Sequence, residues 1–148
     1  MRIAVRYHTR SGNTEKLARA IAEAVGVSAE KVSADLPEQA DVLFLGCSYY
    51  AFDVDEAVKD FIRRNSGKIG CIVCFGTSAM MRSVRKPVQR VTEPAGVRLH
   101  PEEFHCRAPS DRCTRGARMP GICGMQRRSR RMSSIRSEMG GYNDERGL

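Results

Sequence analysis

Six consecutive residues near the start of the chain, Thr9, Arg10, Ser11, Gly12, Asn13 and Thr14, bring together three hydroxyls, a guanidinium, a carboxamide and a glycine. Such a set suits an anion. Hydroxyls donate hydrogen bonds, glycine lets the backbone approach a ligand closely, and a helix starting here would point its unpartnered first N–H groups outward. The flanking residues supply that helix. Ile3-Ala4-Val5 reads as a short strand, and residues 15–25 place Leu17, Ala18, Ile21, Ala22 and Val25 at helical spacing. The plainer reading is that Ser11 or Asn13 only caps the helix. One cap needs one such residue, whereas several cluster here.

Two further groups have complementary chemistry. Ser48, Tyr49, Tyr50, Ala51 and Phe52 follow an apolar run and hold three of the nine aromatic residues. Phe75, Gly76, Thr77 and Ser78 follow a second run with an aromatic, a glycine and two hydroxyls. An aromatic loop residue can stack on a flat ring through dispersion and quadrupole contact. It can equally anchor its loop to the core. A ligand with a phosphate at one end and a flat ring at the other would use all three groups.

Other residues that could do chemistry lack the context for it. Cys71 and Cys74 have redox or zinc spacing but fall within an apolar strand, where residues three apart point to opposite faces. No second Cys-x-x-Cys completes a zinc site, and a thiol-redox pair normally opens a helix. Both read as buried structural cysteines. His100 and His105 lie far along the sequence from a convincing catalytic partner, so neither is given a catalytic role, and no nucleophile–base pair stands out. No catalytic residue and no metal ligand is therefore assigned, which suits a protein whose chemistry belongs to a bound cofactor.

The elements that must position these groups alternate regularly. After the first strand and helix, residues 30–34 read as a short strand. Residues 42–47 form an apolar run of the kind buried on both faces of a parallel sheet. Residues 48–53 read as a loop. Asp55 caps a helix through about Arg64, with Ala57, Val58, Phe61 and Ile62 as its inner face. Residues 69–75 make another buried strand. A weaker helix is predicted somewhere in residues 80–91, with Pro87 compromising its middle, and residues 97–99 and 103–106 a last extended segment. The pattern predicts an α/β fold with a parallel sheet and right-handed crossovers. Ligands of such sheets sit beyond the carboxyl ends of the strands, where the three groups fall.

Here a family resemblance becomes specific. "TRSGNT" resembles the phosphate-binding loop of flavodoxins, and "LGCSYY" the end of their third strand with its flavin loop. Tyr50 stands where an aromatic commonly covers the isoalloxazine. "CFGTS" is similar to their second flavin-flanking loop, and "EEFHCRA" to a segment near their last strand. The resemblance covers about residues 1–107. It implies a flavodoxin-like three-layer sandwich, FMN as cofactor, and electron transfer through the flavin to redox partner proteins. Its alternative is flavin-dependent reduction of a quinone or other small acceptor. The cofactor contacts it implies are residues 9–14, 48–52 and 75–78. Aromatic stacking, with acidic Asp53, Asp55 and Glu56 nearby, would disfavour the anionic reduced ring and make it a stronger donor.

Size and charge set the remaining bounds. At 148 residues the chain suits one domain. No apolar run approaches the ~20 residues of a membrane span, and no signal-peptide layout opens it, because Arg2, Arg6 and Arg10 interrupt its start. No membrane association and a cytoplasmic location are the expectations, with the six cysteines reduced. The net charge of +8 is uneven. Residues 1–106 hold 15 Lys and Arg against 13 Asp and Glu, while residues 107–148 hold 10 Arg, no Lys and 4 acidic residues. The expectation for this Arg-rich tail is disorder in place of the closing helix that a flavodoxin-like domain needs. It could bind nucleic acid electrostatically, giving an alternative reading as a basic binding module. Arg without Lys, among Gly, Pro, Cys and Ala, is also what GC-rich codons give out of frame. A two-base shift from Arg107 permits a reading with Gly-Arg-Pro-Asp and an amphipathic helix, so a frameshift near Arg107 is inferred.

Overall fold

The computed structural model describes residues 1–50, 53–77 and 83–106, and for Tyr49, Tyr50 and Cys106 the backbone only. The first apolar run forms β1 (Ile3–Tyr7), which turns into α1 (Asn13–Val25) and returns as the short β2 (Ala29–Lys31). β3 (Ala40–Tyr50), β4 (Asp53–Val54) and α2 (Glu56–Asn65) follow. A 3-10 turn (Ser66–Lys68) leads into β5 (Ile69–Thr77), then α3 (Arg85–Ala95) and β6 (Arg98–Cys106).

Five strands run parallel in the order β2-β1-β3-β5-β6. Strand alternation divides the core. Leu43, Leu45 and Cys47 of β3 and Ile72 and Cys74 of β5 meet Val58, Phe61 and Ile62 of α2, with Val84, Val88 and Val91 in and beside α3. Their neighbours Val42, Phe44, Cys71, Val73 and Phe75 turn to the opposite face. There α1 packs on β1, β3 and β5 through its buried Leu17, Ala18, Ile21 and Ala22. Helices on both faces of one sheet make three layers, the α/β sandwich expected. Fully burying a side chain such as Phe61 or Ile72 contributes about 1.5–3 kcal/mol. Cys71 and Cys74 are both buried on opposite faces, without a disulfide.

Several local expectations are corrected. Residues 48–50 are strand, not loop, because β3 runs past Ser48 and folds back on β4, pairing Tyr49 with Val54 and Tyr50 with Asp53. Tyrosine suits extended backbone, and the hairpin supplies ladder partners beyond the parallel sheet. α3 starts and ends later than predicted. Pro87 is then its third residue, in the first turn, where a missing N–H breaks no intrahelical bond. Ala57 is exposed on α2, and Asn65 is buried in its place. The Asn65 side chain accepts from Leu36 N and donates to Asp35 Oδ1 and Phe61 O, tying the segment after β2 to the end of α2.

Arg6 lies inside β1 and is almost wholly buried, with Glu30 of β2 on its guanidinium at 2.7 Å and the Ala34 carbonyl at 3.2 Å. Burial lowers its pKa while Glu30 opposes that shift, so the charge is kept by being paired. The expected closing helix and the Arg-rich tail concern residues 107–148, which lie outside the described residues.

Candidate functional site

The carboxyl ends of β1, β3 and β5 lie side by side. β1 and β3 adjoin at the point where the strand order reverses: the chain passes from β1 outward to β2, then crosses back to β3 on the other side. A crevice opens at such a reversal, between loops that leave in opposite directions. His8 N, just past β1, still reaches Gly46 O of β3 at 3.0 Å, so the loop starts from a fixed point.

The first loop is built around Gly12. Its φ of +86° is left-handed, and a Cβ there would have no atom within 4 Å, so the residue combines a conformation suited to glycine with open space above it. Gly12 is also the N-cap of α1, and no side chain caps the helix. Neither Ser11 nor Asn13 takes the capping role. Thr9 Oγ1 accepts a hydrogen bond from Gly12 N at 2.9 Å and folds the loop on itself. Ser11 is exposed and Asn13 half-buried at the first helical position.

Arg10 reaches across the site. Its Nη2 and Nε donate to Asp55 Oδ2 at 2.6 and 3.2 Å, while Asp55 Oδ1 accepts from Ala57 N and caps α2. His8 Nε2 lies 3.3 Å from the same Oδ2, close enough for an ion pair once protonated, but makes no hydrogen bond. The Arg10 hydrogen bond, then that from the Ala57 backbone, holds the Asp55 carboxyl below its ordinary pKa against the opposing effect of burial. The other acidic residues also carry their own cation: Lys59 Nζ lies 2.8 Å from Asp53 and 3.2 Å from Glu56. The sequence reading missed His8 and the pairing of these carboxylates. Their cue was position alone, since His8 directly follows a strand and Asp55 directly precedes a helix.

Thr14, Ser48 and Thr77 meet. Thr14 Oγ1 is 2.9 Å from both Ser48 Oγ and Thr77 Oγ1, joining the start of α1 to the end of β3 and to the end of β5. The Thr14 side chain is 0% exposed, Ser48 is buried and Thr77 half-buried. Phe75 is fully buried with its ring over Gly46, and Gly76 packs against Cys47 O and Val84. Both belong to the packed sheet. Tyr49 and Tyr50 are placed as β3 backbone; Ala51, Phe52 and Ser78 lie outside the described residues.

These parts can do two things chemically. The start of α1 presents the N–H groups of its first turn, and Ser11 its hydroxyl, to an anion, while the Gly12 N–H is held by Thr9 and the Arg10 guanidinium by Asp55. The strand ends beside it offer hydroxyls at a second position. A doubly charged phosphate fits the first set, because the space over Gly12 is open and no capping side chain takes the N–H groups that follow it in α1.

No protein-family model and no curated protein matches the sequence. Solved structures do. The chain is similar to a flavodoxin from the domain Archaea, with a TM-score of 0.60 and 17% identity over 75% of this chain and 87% of that one. It is similar to oxidised flavodoxin 2 from Bacillus cereus, with a TM-score of 0.55 and 19% identity over 75% and 88% of the two chains. A flavoprotein in complex with FMN from Lactobacillus acidophilus gives 0.53 and 15% over 72% and 92%. The strand order, the helices on both faces and these likenesses together give the chain a flavodoxin-like fold.

Proposed function

We propose that this chain binds FMN at the carboxyl ends of β1, β3 and β5 and serves as a carrier of electrons to a redox partner protein. The observation that carries this reading is the uncapped start of α1 behind a left-handed Gly12, set beside the ends of β3 and β5 at the reversal of strand order. The helix N–H groups and the Ser11 hydroxyl would hold the phosphate, with Arg10 in the same loop steadied by its pair with Asp55. The backbone of β3 running on through Tyr49 and Tyr50 would carry the aromatic edge of the ring site. The bound flavin supplies one- or two-electron transfer. The chain's own residues bind it, orient it and limit water at its ring. No catalytic acid or base is assigned, which favours a carrier over a free-standing reductase of quinones or other small acceptors.

The test is titration of the folded protein with FMN while following flavin fluorescence. Quenching with a dissociation constant in the micromolar range or below supports the reading. No quenching in a sample shown to be folded overturns it. Oxidation of a nicotinamide cofactor by the isolated holoprotein, with a quinone as acceptor, would make it a reductase. The basic charge of residues 107–148 carries a second reading, nucleic-acid binding, which predicts a colourless protein whose affinity falls steeply with salt.

A further inference from the structure

α1 and α2 each place a carboxylate in the first turn, Glu15 and Glu56, and α2 ends on Arg63 and Arg64. Such charges complement the positive start and negative end of the helix dipole. α3 reverses the arrangement. Its first turn holds Arg85 and Lys86 and no acid, Arg90 follows in the second turn, and Glu93 stands near its end. Lys86 and Arg90, four residues apart, share a face and repel each other.

The inward cation is accounted for. Arg85 Nε donates to His100 O of β6 at 3.4 Å, and Glu103 of β6 meets the same end of the helix. Lys86 and Arg90 are exposed, and neither enters a hydrogen bond or ion pair; Arg90 only contributes to the field at Asp53. The cations of α2 differ: Lys59 is taken by Asp53 and Glu56, Arg63 by Glu56 and Asp60, and Arg64 by Asp35. Glu93 accepts from Gln89 Nε2 at 2.6 Å. The outer stripe of α3 thus presents two uncompensated cations followed by a carboxylate. It opposes the dipole, and no described group offsets it.

We propose that this stripe, Lys86 and Arg90 with Glu93 beyond them, is the docking surface for an acidic redox partner protein. α3 follows the carboxyl end of β5, so Lys86 stands at the end of the sheet that holds the candidate site. At 1.5 Å of rise per residue, the two cations are about 6 Å apart along the helix and Glu93 is about 10 Å from Lys86. Two carboxylates one helical turn apart, with a basic group beyond them, complement that pattern. A nucleic-acid backbone would press further phosphates on Glu93 and Asp53. Complementary charge of this kind sets encounter rate and orientation. That the partner is a redox protein rests on the electron-carrier reading; the surface does not.

The experiment has a flavin-free arm and a redox arm, both on the full chain. In the first, backbone amide shifts are followed by NMR during titration with hexaglutamate. We expect shifts at residues 85–93 that fade with salt, and affinity there lowered on the order of tenfold in Lys86→Glu/Arg90→Glu. The variant puts acids where the dipole favours them, so it should fold; should it not, Lys86→Gln/Arg90→Gln replaces it. Shifts confined to residues 107–148, or shifts at 85–93 that the variant leaves unchanged, overturn the proposal. Hexauridylate acting on residues 85–93 as strongly as hexaglutamate would make the stripe a nucleic-acid surface and also overturn it.

In the second arm the reduced holoprotein is oxidised by ferricyanide, each molecule taking one electron to become ferrocyanide, or by the cationic hexaamminecobalt(III). Lys86→Glu/Arg90→Glu should slow ferricyanide roughly three- to tenfold at low salt and quicken hexaamminecobalt(III). Arg2→Glu/Arg19→Glu makes the same change in net charge at exposed positions away from α3 and should do much less. Equal effects of the two variants overturn the assignment of the stripe to electron exit. A wild type that binds no FMN defeats the carrier reading, and the hexaglutamate arm still decides the surface.

Discussion

The ring of Phe75 lies across the backbone of Gly46, its registered neighbour on β3, so closely that a methyl group at position 46 would overlap it. Both are at the core of the sheet, so neither can yield without displacing a strand. Gly46→Ala should therefore destabilise the protein by about 1–3 kcal/mol. Urea denaturation would show it as a lower midpoint at constant slope. Phe75→Leu in the Gly46→Ala background should return part of the loss, and simple additivity of the two changes would contradict the contact.

Acid should weaken the link between the first loop and α2. Arg10 and then the Ala57 backbone hold Asp55 below the usual carboxylate pKa. The stability this confers is complete above the unfolded value, about 3.9, and is lost as pH falls through the lower folded value. The urea midpoint of the wild type should fall below about pH 4. Asp55→Asn should begin lower at pH 7 and fall less steeply in acid. Parallel curves for the two proteins would remove Asp55 from the acid response.

The phosphate end has its own discriminating variant. Ser11 is exposed in the first loop and takes no part in the contact of Thr14 with Ser48 and Thr77. Ser11→Ala should weaken FMN by about 1.5–3 kcal/mol, the range for a hydrogen bond to a charged group, and leave riboflavin unchanged. Equal effects on both ligands would make Ser11 structural.

Two thiols should be inert. Burial raises the pKa of Cys47 and of Cys74, with the Glu103 charge adding to both. At pH 8 neither should be alkylated in the folded protein, and both should react in urea, as mass mapping of labelled peptides would show. Labelling of Cys47 under native conditions would mean that the end of β3 opens.

The coding DNA around Arg107 tests the origin of the Arg-rich tail. If residues 107–148 are read out of frame, the alternative frame encodes Gly-Arg-Pro-Asp and an amphipathic helix without a stop codon. Restoring it should raise stability and FMN affinity. A stop codon in that frame, or no such helix, ends the idea and leaves the tail as a genuine basic element.

What was legible in the sequence was whatever repeats locally. The buried runs of β3 and β5, the spacing of Val58, Phe61 and Ile62, and the glycine before α1 each declare themselves within a dozen residues. What was not legible depends on partners far along the chain. Thr14 meets Ser48 34 positions away and Thr77 63 positions away, and no window contains them. Pro87 looked harmful because the helix start was misplaced. That start is fixed by Glu103 of β6, whose carboxylate accepts from Val84 N and Ser83 Oγ, both at 2.6 Å. Where the Phe75 ring goes was not legible either, because only the absence of a side chain at Gly46, 29 positions away, makes room for it.

The shortness of β2 limits what this edge of the sheet offers to another strand. An outer strand with a long row of unpaired amides and carbonyls is a template on which another chain can crystallise into a shared sheet. β2 offers only Ala29–Lys31, with a carboxylate and an ammonium among its three side chains. Among the described residues the opposite border is β6, where Pro101 has no N–H to donate and the register with β5 slips between Ile72 and Cys74. Neither border gives an incoming strand a continuous ladder. The described outer strands thus offer little template for edge-to-edge pairing, whatever ligand the site holds.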